Sequence, residues 1–241
     1  MKSWATLDAD VVKLVGAHRY TAGRAGASIS EVVVHHNAGI NTVESVWELW
    51  QYSRAASAHY QVESGGRIGQ LVWDRDTAWH AADQVVNRRS IGVEVSNSGG
   101  ELADWPITDT AVTEAGRLVG AICRVYGLGA PVAGRNVTFH RDYAATSCPY
   151  HLAPGGKYHA ALMAAAVDWY QHLTTDPDPE DTDMGLTPRQ SHQLDDLTEQ
   201  LTGSPNPGEF PGWPQLDHMT PVDYLADLGA RLARIEERTD Q

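Results

Sequence analysis

Cysteine and phenylalanine are scarce in this chain, and long apolar runs are missing. Two cysteines, Cys123 and Cys148, in 241 residues exclude a disulfide framework as the source of stability. No stretch approaches the roughly 18 continuous apolar residues of a membrane span. The opening MKSWATLDAD has no apolar core of a secretory signal. The expectation is a protein with no membrane insertion, made in a cytoplasm and released by something else if its target lies outside. A basic patch is missing too. The formal net charge is −13, and nothing stands out that would neutralise phosphates, so nucleic acid is not an expected partner.

Hydrophobic residues make up 42% of the chain, enough for a proper core. Eight Trp and nine Tyr against two Phe suit an amphipathic groove as well as a core. The charge is uneven. Residues 1–175 hold 16 acidic and 14 basic side chains, a balance of −2, whereas residues 176–241 hold 15 acids and four arginines, −11. This asymmetry divides the chain into a domain over 1–175, a linker over 176–187 and a C-terminal region over 188–241. The linker begins Asp-Pro-Asp-Pro-Glu-Asp, a composition that builds no core. Beyond it, Leu194, Leu197 and Leu201, and then Leu225, Leu228, Leu232 and Ile235, recur at helical spacing. These short helices are expected to pair with each other, to pack on the first domain or to associate between chains.

In the first domain, residues 1–29 read as an irregular lead-in, with His18 a surface or packing residue. Val32, Val33 and Val34 form a β-branched run suited to a buried strand. Thr42 to Ala56 has the apolar spacing of an amphipathic helix, with Thr42 as N-cap. SAHYQVESGGRIGQLV reads as a hairpin about Gly65-Gly66. DRDTAWHAA reads as a loop, and SIGVEVS as another strand. Thr108 to Tyr126 and Tyr158 to Leu173 read as helices, and Val137 to His140 as a short strand between them. Cys123 falls in the apolar pattern of the first of these helices, as a small buried hydrophobe. Strands mixed with covering helices imply an α/β layout around a largely buried sheet.

The chemistry gathers in VTFHRDYAATSCP, where His140 ends a strand and Cys148 lies eight positions on. An imidazole and a thiolate both suit a borderline-soft cation such as Zn²⁺. A further ligand comes from VVVHHNAG, where His35 and His36 close a strand. Side chains alternate across a strand, so only one of the two joins a given site. Two strand-end histidines and a loop cysteine give three ligands and leave one tetrahedral vertex open, the catalytic rather than the structural arrangement. A packed histidine and an inert thiol are the bland alternative. Glu94 lies between Val93 and Val95 in a strand that reads as buried. It either pairs with Arg88 or Arg89, or sits at a sheet edge, or faces the metal water as a general base.

VVVHHNAG, SAHYQV, TAWHAA, NRRSIGVEVSN and FHRDYAATSCP, in this order over roughly residues 28–172, resemble the zinc-dependent N-acetylmuramoyl-L-alanine amidases of the type 2 family. The resemblance implies a central mixed β-sheet flanked by helices, with a small helical C-terminal appendage outside the match. It implies His35, His140 and Cys148 as Zn²⁺ ligands, with His35 rather than His36, and Glu94 as the catalytic glutamate. It also implies bacterial cell-wall peptidoglycan as partner and hydrolysis of the amide between N-acetylmuramic acid and L-alanine, as in a phage endolysin. Where members have a lysine or a threonine two residues before the last ligand, helping to hold the substrate carbonyl oxygen, Thr146 stands here, so oxyanion help would come from a neutral hydroxyl rather than a cation. The tyrosine some members carry before the HY strand is Ala58, with His59 beside it as a candidate substrate contact. Trp79, His80 and Asn97, in turns beside the metal strands, are candidate groove residues. A binding-only recognition module, a bacterial autolysin or muropeptide-recycling amidase, and a cysteine hydrolase using Cys148 and His140 are the alternatives.

Overall fold

The computed structural model describes residues 7–175 together with Pro221, Tyr224, Leu225 and Asp227. The chain divides into two compact units, Met1–Pro179 and Glu180–Gln241. The expected linker and nearly all of the expected C-terminal helices lie outside the described residues.

A six-stranded sheet forms the centre of the first unit. Its strands are β1 (Val11–Val12), β3 (Glu31–His36), β4 (Tyr60–Val62), β5 (Ile68–Gln70), β7 (Ser90–Val95) and β8 (Val137–Phe139). They lie in the order β1-β5-β4-β7-β3-β8. Only the β4–β5 hairpin is antiparallel; every other neighbouring pair is parallel. A small antiparallel pair, β2 (Tyr20–Thr21) and β6 (Thr77–Ala78), lies apart from the sheet. All six residues of β3 are buried, which is why the valine run shows no polar alternation: both faces are covered.

The pleat sorts each strand's side chains between two different layers. Val32 and Val34 of β3, Ile91, Val93 and Val95 of β7, and Val137 and Phe139 of β8 join the main core with helices α3 (Asp109–Val125) and α4 (His159–Thr175). These helices touch closely. A Cβ on Gly120 would lie 2.4 Å from the Ala166 carbonyl oxygen, and one on Gly116 would lie 2.6 Å from Ala165 Cβ, so glycine is what permits the crossing. The opposite face carries Val33, Glu94, Gln61 and Thr138, under α1 (Val43–Tyr52) and α2 (Gln84–Arg89). Those two shorter helices leave part of this face open. Thr42 caps α1 as expected, its hydroxyl accepting from Ser45 N while Ser45 Oγ accepts from Thr42 N.

Two expectations are corrected here. The lead-in is not wholly irregular, since β1 pairs with β5 and β2 with β6. The segment read as a loop holds β6 and is followed by α2, which Asp83 caps by accepting from Val85 N and Val86 N. Two-residue strands and a six-residue helix are shorter than the periods by which patterns are detected.

Candidate metal centre and active-site cleft

The side chains that could hold a metal ion are brought together by sheet register. Val34 of β3 is paired with Phe139 at the end of β8, so the residues that follow, His35 on β3 and His140 at the start of a 3-10 turn, emerge at the same end of the sheet. Their ring centroids are 4.6 Å apart. The chain then loops back, tied by Phe139 N donating to Asp142 Oδ2 at 2.9 Å and Arg141 N donating to the Cys148 carbonyl at 2.9 Å. This return sets Cys148 Sγ 3.9 Å from His35 Nδ1, with the His36 backbone N–H pointing at the sulfur from 3.4 Å.

One donor atom from each of His35, His140 and Cys148 lies within 4.8 Å of the others. A tetrahedral Zn²⁺ with bonds of about 2.0–2.3 Å holds its donors roughly 3.3–3.8 Å apart, so small side-chain rotations suffice to close the set. The donor set fits the ion in a second respect. His140 Nε2 is buried and has no hydrogen-bond partner, as befits an atom reserved for a ligand. Burial holds His35 well below the usual histidine range, with the neighbouring imidazoles adding to the effect, and burial lowers His140 too. Both rings are therefore neutral and free to donate lone pairs. His36 points to the other face of β3, where its ring meets Trp105 edge-on at 5.8 Å.

Glu94 of β7 stands in register with His35 on one side and Gln61 of β4 on the other. It is neither at a sheet edge nor paired with Arg88 or Arg89, because Arg89 Nε instead meets Glu31 Oε1 at 2.7 Å. Asn37 Nδ2 donates to Glu94 Oε2 at 3.0 Å, and Gln61 Nε2 donates to Asn37 Oδ1 at 2.7 Å. Burial pushes the Glu94 carboxyl up to about 7, against the opposing pull of the Arg54 guanidinium and the Asn37 hydrogen bond. A carboxyl titrating near neutrality can both take and return a proton.

These groups line a cleft of about 240 Å³ that also includes Trp50, Arg54, Trp79, His80 and Thr146. Thr146 Oγ1 accepts from Cys148 N at 3.2 Å and keeps its own proton. Trp79 is anchored through Nε1 to Thr21 Oγ1 at 3.0 Å. His80 abuts His35, its Nδ1 3.1 Å from His35 Nε2. Two expected substrate contacts are not placed to act as such. His59 is wholly buried, with Nδ1 accepting from Gly92 N at 3.0 Å and Nε2 beside the Asp76 carbonyl and Arg24. Asn97 is wholly buried, with Nδ2 donating to the Trp105 carbonyl at 3.0 Å. Turn chemistry marks where such residues fall but not which way they face.

Two cleft groups, Asn37 and Arg54, had no functional reading from the sequence, nor had Gln61, which is buried behind Asn37. Gln61 had a usable signal, being a polar residue in an apolar strand like Glu94. Arg54 follows α1, its backbone N–H donating to the Leu49 carbonyl at 2.8 Å. It is the one Arg or Lys among the described residues that line the cleft.

The chain belongs to the type 2 N-acetylmuramoyl-L-alanine amidase family, whose model matches residues 25–151, and is with it a peptidoglycan amidase. A second family model, the Rv3766 C-terminal domain, matches residues 186–237. Solved structures share the fold. PlyL superposes with a TM-score of 0.52 at 21% identity, covering 66% of this chain and 97% of its own. The PlyG catalytic domain gives 0.54 at 21% identity, covering 70% and 99%. The Staphylococcus aureus hydrolase AmiA, solved in complex with its ligand, gives 0.56 at 18% identity, covering 72% and 89%. No helix among the described residues is long and apolar enough to cross a membrane.

Proposed function

We propose that this chain is a zinc-dependent enzyme that hydrolyses the amide between the lactyl group of N-acetylmuramic acid and L-alanine of the stem peptide. The observation that carries the reading is the convergence of His35, His140 and Cys148 on one point, donor atoms within 4.8 Å of one another. Two nitrogens and one sulfur leave a tetrahedral vertex open for water or substrate. Bound there, Zn²⁺ supplies a Lewis acid that polarises the amide carbonyl and acidifies water.

The remaining work falls to this chain's own side chains. Glu94 takes a proton from the attacking water and returns it to the leaving nitrogen. Asn37 holds Glu94 Oε2, which leaves Oε1 to handle that proton. The Thr146 hydroxyl donates toward the substrate carbonyl oxygen as charge develops there. Trp79 and Arg54 face the cleft as a ring and a cation for the glycan and peptide on either side of the scissile bond.

The cysteine-hydrolase alternative is disfavoured by the thiol itself. Burial, and next the Glu94 charge, push the Cys148 thiol up, whereas a nucleophilic cysteine needs a depressed pKa. An endolysin role is supported by likeness of fold to an endolysin from Bacillus subtilis, TM-score 0.52 at 19% identity. Residues 188–241 are proposed as an appendage for targeting or self-association behind a linker over 176–187, and the family match over 186–237 supports a unit of its own there.

The test is a mass-resolved digest of purified cell wall. Release of peptides with a free N-terminal L-alanine, abolished by chelator and restored by Zn²⁺, is expected. Activity that resists chelator but falls to a thiol alkylator would mean a cysteine hydrolase, and wall binding without release would mean a recognition module.

A further inference from the structure

His35 uses both ring nitrogens. Nδ1 is the one on the cysteine side, 3.9 Å from Cys148 Sγ. Nε2 points along the sheet face to His80 Nδ1, 3.1 Å away. Imidazole chemistry then orders the protons along a row. A ring that gives its Nδ1 lone pair to a cation carries its proton on Nε2. His35 therefore donates, and His80 Nδ1 accepts; a doubly protonated His80 would set donor against donor. With Nδ1 accepting, His80 carries its proton on Nε2, and that N–H lies 3.2 Å from Ser90 Oγ. The Ser90 hydroxyl in turn donates to the Val86 carbonyl at 2.6 Å. Each donor meets one acceptor, and the row ends on backbone.

The surroundings hold the His80 ring in that place. Asn87 Oδ1 accepts from the backbone N–H of His80 at 3.1 Å and of Ala81 at 2.8 Å. Gly92, on β7 two residues before Glu94, lies against the ring, and a Cβ there would come within 2.6 Å of His80 Cγ and Cδ2. The wholly buried His59 flanks it, ring centroids 5.9 Å apart. A residue that served only to touch substrate would not need this much enclosure.

We propose that His80 is a positioning residue for the metal centre: it fixes the tautomer and ring orientation of His35, with Ser90 fixing His80 in turn. This rests on the metal-dependent reading given above. Such outer partners typically govern metal affinity by about 10–100-fold.

The test uses the full chain. In the zinc-loaded wild type, ¹⁵N-histidine correlation spectra should show His35 and His80 both protonated at Nε2. A His80 proton on Nδ1 overturns the proposal. Zinc dissociation constants from chelator competition should weaken about 10–100-fold in His80→Ala. His80→Asn, whose Oδ1 can accept where Nδ1 does, should recover most of that loss, and Ser90→Ala should lose a smaller factor. Wild-type zinc affinity in a folded His80→Ala also overturns it. Should that variant fail to fold, as read by apo-protein melting, the tautomers of the wild type and the Ser90→Ala affinity decide. A wild type that binds no zinc sinks the metal reading itself; a wild type that binds zinc beside variants that bind it equally well sinks only the role of His80.

Discussion

Glu94 and His35 sit directly opposite each other on adjacent parallel strands, β7 and β3. Parallel neighbours in register put their side chains on the same face, so the carboxylate and the imidazole share one surface without any loop to place them. The candidate metal ligand and the proposed proton carrier are thus linked by backbone hydrogen bonds between neighbouring strands.

Glu94→Gln should bind zinc as the wild type does while losing about 10²–10⁴-fold in turnover, the usual contribution of a general base. Metal content and kcat measured on the same preparation check this. Zinc lost along with activity would make Glu94 a ligand instead.

The same carboxyl gives a pH signature. Its folded pKa, about 7, is raised from an ordinary value near 4.5, so the fold favours the protonated form. The stability it contributes is fully present below about 4.5 and is lost as pH rises through about 7. In zinc-free protein, the melting temperature of wild type relative to Glu94→Gln should fall between those limits. In activity, the base must be ionised, so kcat/KM should rise with pH along an acid limb at or below about 7, since a bound cation favours the carboxylate. Arg54 opposes the upward shift, so Arg54→Gln should move that limb upward; a limb that stays put would mean that Arg54 does not act on Glu94.

His35→Ala should abolish tight zinc binding, whereas His36→Ala should largely spare it, because the His36 ring lies on the far face against Trp105 and Tyr150. Chelator competition on both variants distinguishes them. Equal losses would contradict the assignment of faces.

A chain ending at Thr175 should fold and release peptide from soluble muropeptide, because the described cleft is built from residues 35–148. Soluble expression and turnover of this truncation check it; an insoluble or inactive product would contradict a boundary at this point.

The site was legible where a side chain's direction follows from strand periodicity. The Val32–Val34 run with its two histidines, the His140 strand and the acid between Val93 and Val95 each signalled a strand end or face, and three strands in register then did the rest. What escaped was set by contacts distant in sequence. Asn37, one residue past the end of β3, bridges Glu94 and Gln61. His59 read as a cleft residue, yet Arg24 and Gly92, 35 and 33 positions away, enclose it. Strands as short as Val11–Val12 and Thr77–Ala78 exist because a partner offers an edge, which no local pattern records.

The most direct test of the account is zinc X-ray absorption on the purified, zinc-loaded chain, with Cys148→Ser as control. One zinc per chain is expected, with one sulfur and two imidazole nitrogens in its shell and light scatterers completing it, and with the sulfur lost in the control. A shell without sulfur, or a sulfur signal that persists in Cys148→Ser, would contradict the centre described.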